Sequence, residues 1–401
     1  MQANPSGKSR AGARSPSLAN GRGGPYPRRA MNALPRPLPR TLDVLSKSHE
    51  ARLQAGVQLY VSLGGAVVAD IALGEARPGG AMQPDTVTVW FSAGKPLTAV
   101  ALARLVERGL AEVDDPVTRF IPEFGQGGKE SLTLRHLLTH TGGFRDADKI
   151  SGELPWDETI AQICATPLEA GWIPGTQAAY QLFSSWFILA EIIRRLDGRA
   201  FDRFLREEVC LPAGMPDSWI GVPPEQFRAY GERMGLMYLS GRSGLRPHPP
   251  FNGEAACAAC RPGSNARGPV RELGRFYEAL LNLPGRPSLL RPETVRQFTA
   301  RHRIGLYDQT FRHVLDFGLG FILHSNRYGA ETVPYSYGPH ATEAAFGHSG
   351  SQSSCAFADP EHQLVVAWLC NGLPGEAPHQ RRANDINRAI YEDLGLAGSA
   401  R

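Results

Sequence analysis

Long apolar segments and cysteine pairs are both scarce in this chain of 401 residues. Its longest apolar stretches are 186–193, which Glu191 interrupts, and 364–370, whereas a helix needs about 20 apolar residues to span a bilayer. The six cysteines are too few for a small secreted disulfide scaffold. Only Cys257 and Cys260 form a Cys-x-x-Cys pair, and no second pair accompanies it, so free thiols are expected and structural zinc is a minor alternative.

Several catalytic signatures are also missing. No Gly-x-Ser-x-Gly occurs, so a serine enzyme of the α/β-hydrolase type would lack its nucleophile elbow. The glycine patterns of nucleotide-binding loops are absent as well. His136 and His140 stand four residues apart, as a metal pair can, but no third ligand lies nearby in sequence, and a structural role is the simpler interpretation.

Acidic residues are absent from residues 1–40, which contain eight basic ones. The other 361 residues carry 35 Lys and Arg against 39 Asp and Glu, so the small positive net charge belongs to the N-terminal tail. A mildly acidic body disfavours a nucleic-acid-binding domain, which needs clustered basic side chains, and it disfavours an anionic membrane as partner. We expect no nucleic-acid partner and no membrane partner.

The first 40 residues hold seven Pro and five Gly without apolar periodicity, which predicts a disordered basic tail. Met31 is an equal candidate for the start of the chain. A secretory signal would need an apolar segment of about 7 to 15 residues after the charges, and none follows. These features favour a cytoplasmic protein.

Strand patterns occupy both ends of the remaining chain, with helical patterns between them. Helices are predicted at 41–54, 92–109, 132–138, 158–164, 185–196, 200–208, 270–281 and 380–394, and strands at 57–62, 66–73, 317–323, 344–347, 354–358 and 364–370. We therefore expect a sheet region built from 41–110 and 290–401, with a mainly helical region at 111–289. Together they would form one catalytic unit over 41–396.

The sharpest local motif is Ser92-Ala93-Gly94-Lys95 at the start of a predicted helix. Residues three apart share one helix face, so the Lys95 amine would reach the Ser92 hydroxyl. The helix N-terminus adds backbone N–H groups and a partial positive charge. Such a pair can work as nucleophile and proton acceptor. Alone, however, the motif is weak, because it also describes a helix-capping serine beside a surface lysine.

Other motifs follow in a fixed order. They are LTLRHLLTHTGGF at 132–144, Pro-Gly-Thr at 174–176 before Tyr180, and FGHSGS at 346–351. Together with Ser92 and Lys95, the set resembles the serine β-lactamase and penicillin-binding protein superfamily. The resemblance is to its class C β-lactamase-like branch, which includes the family VIII carboxylesterases, and it runs from about residue 50 to 395.

This resemblance implies an α/β sandwich, in which helices flank an antiparallel β-sheet and a mainly helical region is inserted. It also implies roles for individual residues. Ser92 would be the acylated nucleophile and Lys95 its partner, while Tyr180, as a phenolate or through Lys95, would take the serine proton. The backbone N–H groups of Ser92 and Ser351 would form the oxyanion hole. The substrate would lie along His348, Ser349 and Gly350.

Two departures from the family pattern disfavour β-lactam hydrolysis. Leu182 stands where the family's Tyr-x-Asn motif has Asn, and the spacing from Tyr180 to the next helix is one residue longer than usual. His348 stands where penicillin-recognising enzymes have Lys, which removes a cation for a substrate carboxylate. A His-x-Gly box is similar to that of the esterase and D-aminopeptidase members.

The sequence and the resemblance therefore predict a serine hydrolase of carboxylic esters that needs neither metal nor cofactor. Its expected partner is a small-molecule ester or amide substrate. Three alternatives stay open: an acyltransferase in a biosynthetic pathway, a D-amino-acid amidase or peptidase, and an inert ligand-binding pseudoenzyme. The natural substrate, the acyl acceptor, any residual β-lactamase activity and the oligomeric state are not determined by the sequence.

Overall fold

A computed structural model describes residues 37–149, 154–283 and 285–398. Residues 1–36, most of the predicted tail, lie outside the described residues. The helices are α1 (Pro39–Glu50), α2 (Lys95–Glu107), α3 (Leu134–Leu138), α4 (Trp156–Ala165), α5 (Ser184–Asp197), α6 (Phe201–Leu205), α7 (Pro224–Tyr230), α8 (Glu254–Ala258), α9 (Val270–Leu280), α10 (Pro292–Thr299) and α11 (Glu376–Asp393). None of these helices combines the length and the apolar character that a membrane crossing needs.

The strands fall into one large sheet and three small ones. They are β1 (Gly56–Leu63), β2 (Ala66–Arg77), β3 (Gly80–Ala81), β4 (Thr88–Phe91), β5 (Trp219–Ile220), β6 (Tyr238–Gly241), β7 (Gly244–Pro247), β8 (Ala266–Gly268), β9 (Tyr307–Asp308), β10 (His313–Val314), β11 (Ile322–Leu323), β12 (Phe346–Gly350), β13 (Ser354–Asp359), β14 (Leu364–Cys370) and β15 (Gly372–Leu373). The large sheet has the order β11-β12-β13-β14-β1-β2-β3, and all its neighbouring strands are antiparallel.

Both faces of this sheet are covered, which explains why β14 is apolar throughout. Val365, Ala367 and Leu369 point into the core shared with α2, α5 and α9. The alternate residues of β14, including Trp368, pack into a second core with α1 and α11. Side chains of a strand alternate between the faces, so a strand buried on both sides needs an uninterrupted apolar run. The α/β sandwich implied by the sequence is confirmed.

Helix α9 packs unusually close to the sheet. A Cβ atom at Gly274 would lie 2.2 Å from the Tyr60 ring, so only glycine allows this approach. Tyr60 in turn donates a hydrogen bond to Glu278 at 2.7 Å. The helix and the sheet are thereby joined on the side of the core that also supports α2.

The predicted elements are largely present, with three differences of physical interest. The predicted helix 92–109 begins as a 3-10 turn over Ser92–Gly94 before α2 starts. The predicted strand 317–323 shrinks to β11, because Gly318 and Gly320, the latter at φ +86°, bend the chain. Helix α11 starts four residues before the predicted 380, since Pro378 in a first helical turn loses no hydrogen bond.

Candidate active site

Ser92 lies at a sharp corner between β4 and α2. Phe91 just before it has φ +52° and ψ −135°, a strained backbone for a residue with a side chain. The Phe91 ring is fixed by an edge-on contact with Phe251, with 4.8 Å between ring centroids. This corner leaves Ser92 half-buried at the end of the small sheet β4-β8-β5. The packing of Phe91 thus holds the strained corner in place, and with it the predicted nucleophile Ser92.

Lys95 is completely buried beside Ser92. Its Nζ lies 3.0 Å from Ser92 Oγ and donates to the carbonyls of Leu182 (3.0 Å) and Gly263 (2.7 Å). Ser92 and Lys95 are aligned because residues i and i+3 eclipse each other in a 3-10 turn. Burial lowers the pKa of Lys95 to about 7, although Asp148 nearby opposes the shift. A large fraction of the amine is therefore neutral near pH 7 and able to accept a proton.

Tyr180 meets the same two residues from the other side. Lys95 Nζ lies 5.0 Å from the centroid of the Tyr180 ring. Burial raises the pKa of the Tyr180 hydroxyl well above its usual range, and the adjacent Ser92 hydroxyl only partly offsets that rise. Its Oη has no hydrogen-bond partner among the described residues. Burial therefore disfavours the phenolate form of Tyr180, which is one of the two forms in which the resemblance would let it take the serine proton.

A separate loop holds the backbone of Tyr180. The Asp308 carboxylate accepts the N–H groups of Tyr180 (3.1 Å), Thr310 (2.9 Å) and Phe311 (3.0 Å). The Thr310 hydroxyl donates to the Tyr180 carbonyl at 2.9 Å. The His140 ring also packs against Tyr180, tilted by 38° with 4.5 Å between centroids, and His140 Nδ1 accepts the Gln181 N–H. Two separate segments of the chain thus hold Tyr180 and its neighbour Gln181.

The segment after Tyr180 contacts Lys95 through its backbone at Leu182, the position where the family motif has Asn. The Leu182 side chain is 44% exposed, but its carbonyl accepts from Lys95. Asp148 accepts the N–H groups of Leu182 (2.6 Å), Phe183 (3.0 Å) and Ser184 (2.7 Å), which caps the start of α5. The Leu182 carbonyl therefore accepts one of the hydrogen bonds of Lys95. The Asp148 carboxylate, 34 residues away in sequence, orients this segment.

Strand β12 carries His348, Ser349 and Gly350 along the cleft, and Ser351 follows at its end. Since the Ser349 carbonyl can only accept, His348 Nδ1 donates to it at 2.8 Å, which leaves Nε2 with its lone pair. Nε2 has no partner among the described residues. Burial, and secondly Lys95, lower the pKa of His348 to about 3, so the ring is neutral at pH 7.

Gly350 allows β12 to pass beside the corner that carries Ser92. A Cβ atom there would lie 2.0 Å from the Trp90 carbonyl oxygen and 2.3 Å from Ser354 Oγ. Ser354 Oγ also donates to that Trp90 carbonyl at 2.7 Å. The close approach brings the chain at Ser351 to the same cleft as Ser92.

Ser92, Tyr180, His348, Ser349 and Ser351 line a cleft of about 350 Å³. Its other lining residues are Leu182, Thr310, Phe311, Ile322, Pro334, Tyr335, Glu376 and Gln380. A cleft of this size accommodates a small organic substrate. All the predicted site residues except the buried Lys95 and Gly350 line it directly, and those two position the lining residues next to them.

Metal ligands do not gather in the described part of the chain, where no group of three or more His, Cys, Asp or Glu side chains could hold an ion. The six cysteines are free thiols. His136 Nδ1 bonds to the backbone N–H of Thr133 and completes the cap of α3, while His140 contacts Tyr180. Both histidines thus have structural contacts near the site.

Sequence reasoning missed Asp148, Asp308, Tyr335 and Glu376. None of them belongs to a recognisable motif, since Asp148 lies in a 3-10 turn, Asp308 in the two-residue strand β9, Tyr335 in a loop and Glu376 at a helix start, and the partner of each in the site is remote in sequence. Asp308, for example, stands 128 residues from Tyr180. Only the run of hydrogen-bonding residues in 301–317, a segment between two predicted elements, could have drawn attention to it.

The Beta-lactamase family model matches residues 45–389. An esterase/beta-lactamase, LipL, from Mycobacterium tuberculosis is 26% identical over 79% of this chain and 77% of that protein. Esterase EstB from Burkholderia gladioli is 27% identical over 75% of this chain and 81% of its own length.

A solved structure gives the same result for the fold. A penicillin-binding protein homologue from Caulobacter crescentus superposes with a TM-score of 0.74 at 29% identity, over 89% of this chain and 97% of the homologue. The family model alone covers most of the chain. The chain therefore belongs to the Beta-lactamase family.

Proposed function

We propose that this chain is a serine hydrolase that cleaves carboxylic esters through an acyl-enzyme on Ser92. The observation that carries the proposal is the buried pair in which Lys95 Nζ lies 3.0 Å from Ser92 Oγ, with the pKa of Lys95 lowered to about 7. A neutral amine at hydrogen-bonding distance from a hydroxyl can act as its general base. The related LipL and EstB are both named esterases, which agrees with this chemistry.

In the proposed acylation step, Lys95 accepts the Ser92 proton while Ser92 Oγ attacks the ester carbonyl. The backbone N–H groups of Ser92 and Ser351 stabilise the oxyanion. Tyr180, which stays a neutral phenol because burial raises its pKa, hands a proton to the leaving alcohol and regains one from Lys95. Water then attacks the acyl-enzyme, and the same groups return the proton to Ser92.

Replacement of water by an alcohol or an amine would make the same site an acyltransferase. This second function is supported by the apolar cleft, where Phe311, Ile322 and Pro334 can cover an organic acceptor and exclude water. Methanolysis of an activated ester, measured by product analysis at increasing methanol concentration, separates transfer from hydrolysis.

Amide hydrolysis of the D-amino-acid type is tested with D-alanine p-nitroanilide.

The test of the main proposal uses p-nitrophenyl butyrate and a fluorophosphonate probe. We expect turnover and a covalent adduct on Ser92 by mass spectrometry, both abolished in Ser92→Ala. Ser243→Ala, in the exposed turn between β6 and β7, is the matched control and should behave like the wild type. Absence of both turnover and adduct would contradict the enzyme and favour the pseudoenzyme. Turnover retained in Ser92→Ala would contradict this nucleophile.

We also propose that residues 41–396 act as one catalytic unit and that the basic tail contributes nothing to turnover. A cytoplasmic location is part of this proposal, and cell fractionation with the protein tagged at its C-terminus tests it. Recovery of the protein in the membrane or secreted fraction would contradict that location.

A further inference from the structure

One wall of the cleft is a row of aromatic rings that leads away from Ser92. The rings of Tyr180 and Phe311 lie 4.6 Å apart, and those of Phe311 and Tyr335 lie 5.6 Å apart. At the end of the row, the Tyr335 hydroxyl donates to Glu376 Oε2 at 2.7 Å. Three neighbouring aromatic rings, tilted against one another, therefore connect the proposed proton donor to the Glu376 side chain.

Glu376 is the one acidic side chain among the described residues that line the cleft. Among its described lining residues, the other ionisable groups are Tyr180, Tyr335 and His348. Both tyrosines stay protonated because burial raises their pKa values, and His348 stays neutral because burial lowers its pKa to about 3. Lys95 lies behind the lining and is held by carbonyl oxygens.

The first turn of α11 fixes this end of the cleft. Glu376 begins the helix, and Gln380 one turn later accepts the Tyr335 N–H through Oε1 at 2.8 Å. Tyr335 itself has φ +57°, a backbone strain that needs support from its surroundings. Two side chains of one helical turn thus hold the ring and place the carboxylate at its edge.

We propose that this wall is a cation-accepting subsite for the alcohol or amine part of the substrate. It deepens the proposed ester hydrolysis and rests on it. Tyr180 returns the proton to the leaving oxygen, so the wall that continues from Tyr180 faces the leaving group. An ammonium group binds to aromatic faces and to a carboxylate. The subsite therefore fits esters, or acyl acceptors, whose alcohol or amine part carries a positive charge a few bonds from the reacting atom.

A purely structural role is the competing explanation for Glu376. A carboxylate at the first position of a helix stabilises the helix through its dipole, and here it also receives a hydrogen bond from Tyr335. That role predicts a stability change in Glu376 variants without any discrimination between charged and neutral substrates. Glu376→Gln separates the two explanations, because the amide oxygen still accepts from Tyr335 while the charge is lost.

The test compares two esters of the same shape, choline butyrate and 3,3-dimethylbutyl butyrate. The readout is the kcat/KM for choline butyrate divided by that for 3,3-dimethylbutyl butyrate. The two esters' difference in intrinsic reactivity affects this ratio equally in every enzyme variant, so it cancels when variants are compared. We expect the ratio to fall by about tenfold in Glu376→Gln. Glu361→Gln removes the same charge from the β13–β14 turn, at the opposite end of the strands, and should leave the ratio unchanged. An unchanged ratio in Glu376→Gln would overturn the subsite.

A binding measurement keeps the subsite testable even if no ester is turned over. Calorimetry with Ser92→Ala compares choline with 3,3-dimethylbutanol, and tighter binding of choline that disappears in Ser92→Ala/Glu376→Gln supports the subsite. Equal binding of the two alcohols would overturn it. Loss of turnover and of the Ser92 adduct would instead overturn the proposed hydrolysis, so the two failures are distinguishable.

Discussion

Asp308 holds the backbone of Tyr180 from 128 positions away in the sequence. One oxygen of its carboxylate accepts the Tyr180 N–H at 3.1 Å, and the other lies 3.0 Å from Arg303 Nη1. Arg303 also donates to the Thr139 carbonyl at 3.1 Å, next to His140. The buried pair of Arg303 and Asp308 therefore ties together the two segments on either side of the proposed proton donor.

We predict that Asp308→Asn destabilises the protein and slows acylation. The amide would leave the fully buried Arg303 guanidinium without its counter-charge, a loss of about 3 to 5 kcal/mol in the free energy of unfolding. Urea unfolding and the kcat/KM for p-nitrophenyl butyrate measure the two effects. Arg303→Met/Asp308→Asn should recover part of the lost stability, because it removes both charges. A double variant less stable than Asp308→Asn would contradict this account.

The pH dependence of acylation should report Lys95. Because its pKa in the folded protein is lowered to about 7 and the neutral amine is the base, kcat/KM should be small at pH 5 and should rise through about pH 7 to a plateau. Stopped-flow kinetics with p-nitrophenyl butyrate measure this profile. Lys95→Arg, which stays protonated, should show no recovery at any pH up to 9.

Lys129 provides the matched control for this profile. It too is a fully buried lysine, and its Nζ donates to the carbonyls of Gln126 (2.9 Å), Cys164 (2.9 Å) and Thr166. Lys129→Met should lower stability but leave the midpoint of the kcat/KM profile near pH 7. A midpoint that moved with Lys129, or that stayed in Lys95→Arg, would contradict the assignment to Lys95.

His348 should contribute no ionisation to the same profile. Its pKa is lowered to about 3, so the ring is already neutral throughout the range from pH 5 to pH 9. His348→Gln should therefore change kcat or KM, since the residue lines the cleft, while the midpoint near pH 7 persists. Loss of the acidic limb in His348→Gln would show that the histidine, rather than Lys95, is the titrating base.

Gly350→Ala should impair the site by pushing β12 away from the Ser92 corner. The new methyl group would lie 2.0 Å from the Trp90 carbonyl oxygen. Because both atoms are attached directly to the backbone, this clash is relieved only if one of the two backbone segments moves. We expect a loss of at least 1 to 3 kcal/mol of stability, about the cost of overpacking, and a fall in kcat. Gly241→Ala is the control, because nothing lies within 4 Å of its Cβ position. Equal effects of the two substitutions would contradict the proposed strand contact.

The sequence predicts elements whose residues repeat with a clear period or bury both faces. Strand β14 has the predicted bounds, because seven consecutive apolar residues between turn signals fit few structures other than a buried strand. Strands β4 and β8 escaped prediction, since four and three residues carry too little pattern. Their pairing depends on contacts 178 positions apart, as in the bond from Trp90 Nε1 to the Gly268 carbonyl.

In the proposed site too, the sequence predicts contacts between near neighbours and misses those that depend on remote segments. Ser92 and Lys95 are predictable because three residues fix their mutual geometry. The carbonyls of Leu182 and Gly263, which hold Lys95, leave no signature in the sequence because every residue has a carbonyl group. The direction of the Tyr180 pKa shift likewise depends on burial, which the residues adjacent in sequence do not determine.

Deletion of residues 1–30, with a start at Met31, should leave kcat/KM and the urea midpoint unchanged, because all of the contacts described above involve residues from 38 onwards. A deletion of residues 1–40 should behave differently. It removes Leu38, whose side chain is fully buried in the core below the sheet, and the Arg40 N–H that donates to Asp393 at 3.2 Å. Burial of one leucine contributes about 1.5 to 3 kcal/mol. Equal stability of both deletions would contradict this limit of the folded unit, and lost turnover in the shorter deletion would contradict a dispensable tail.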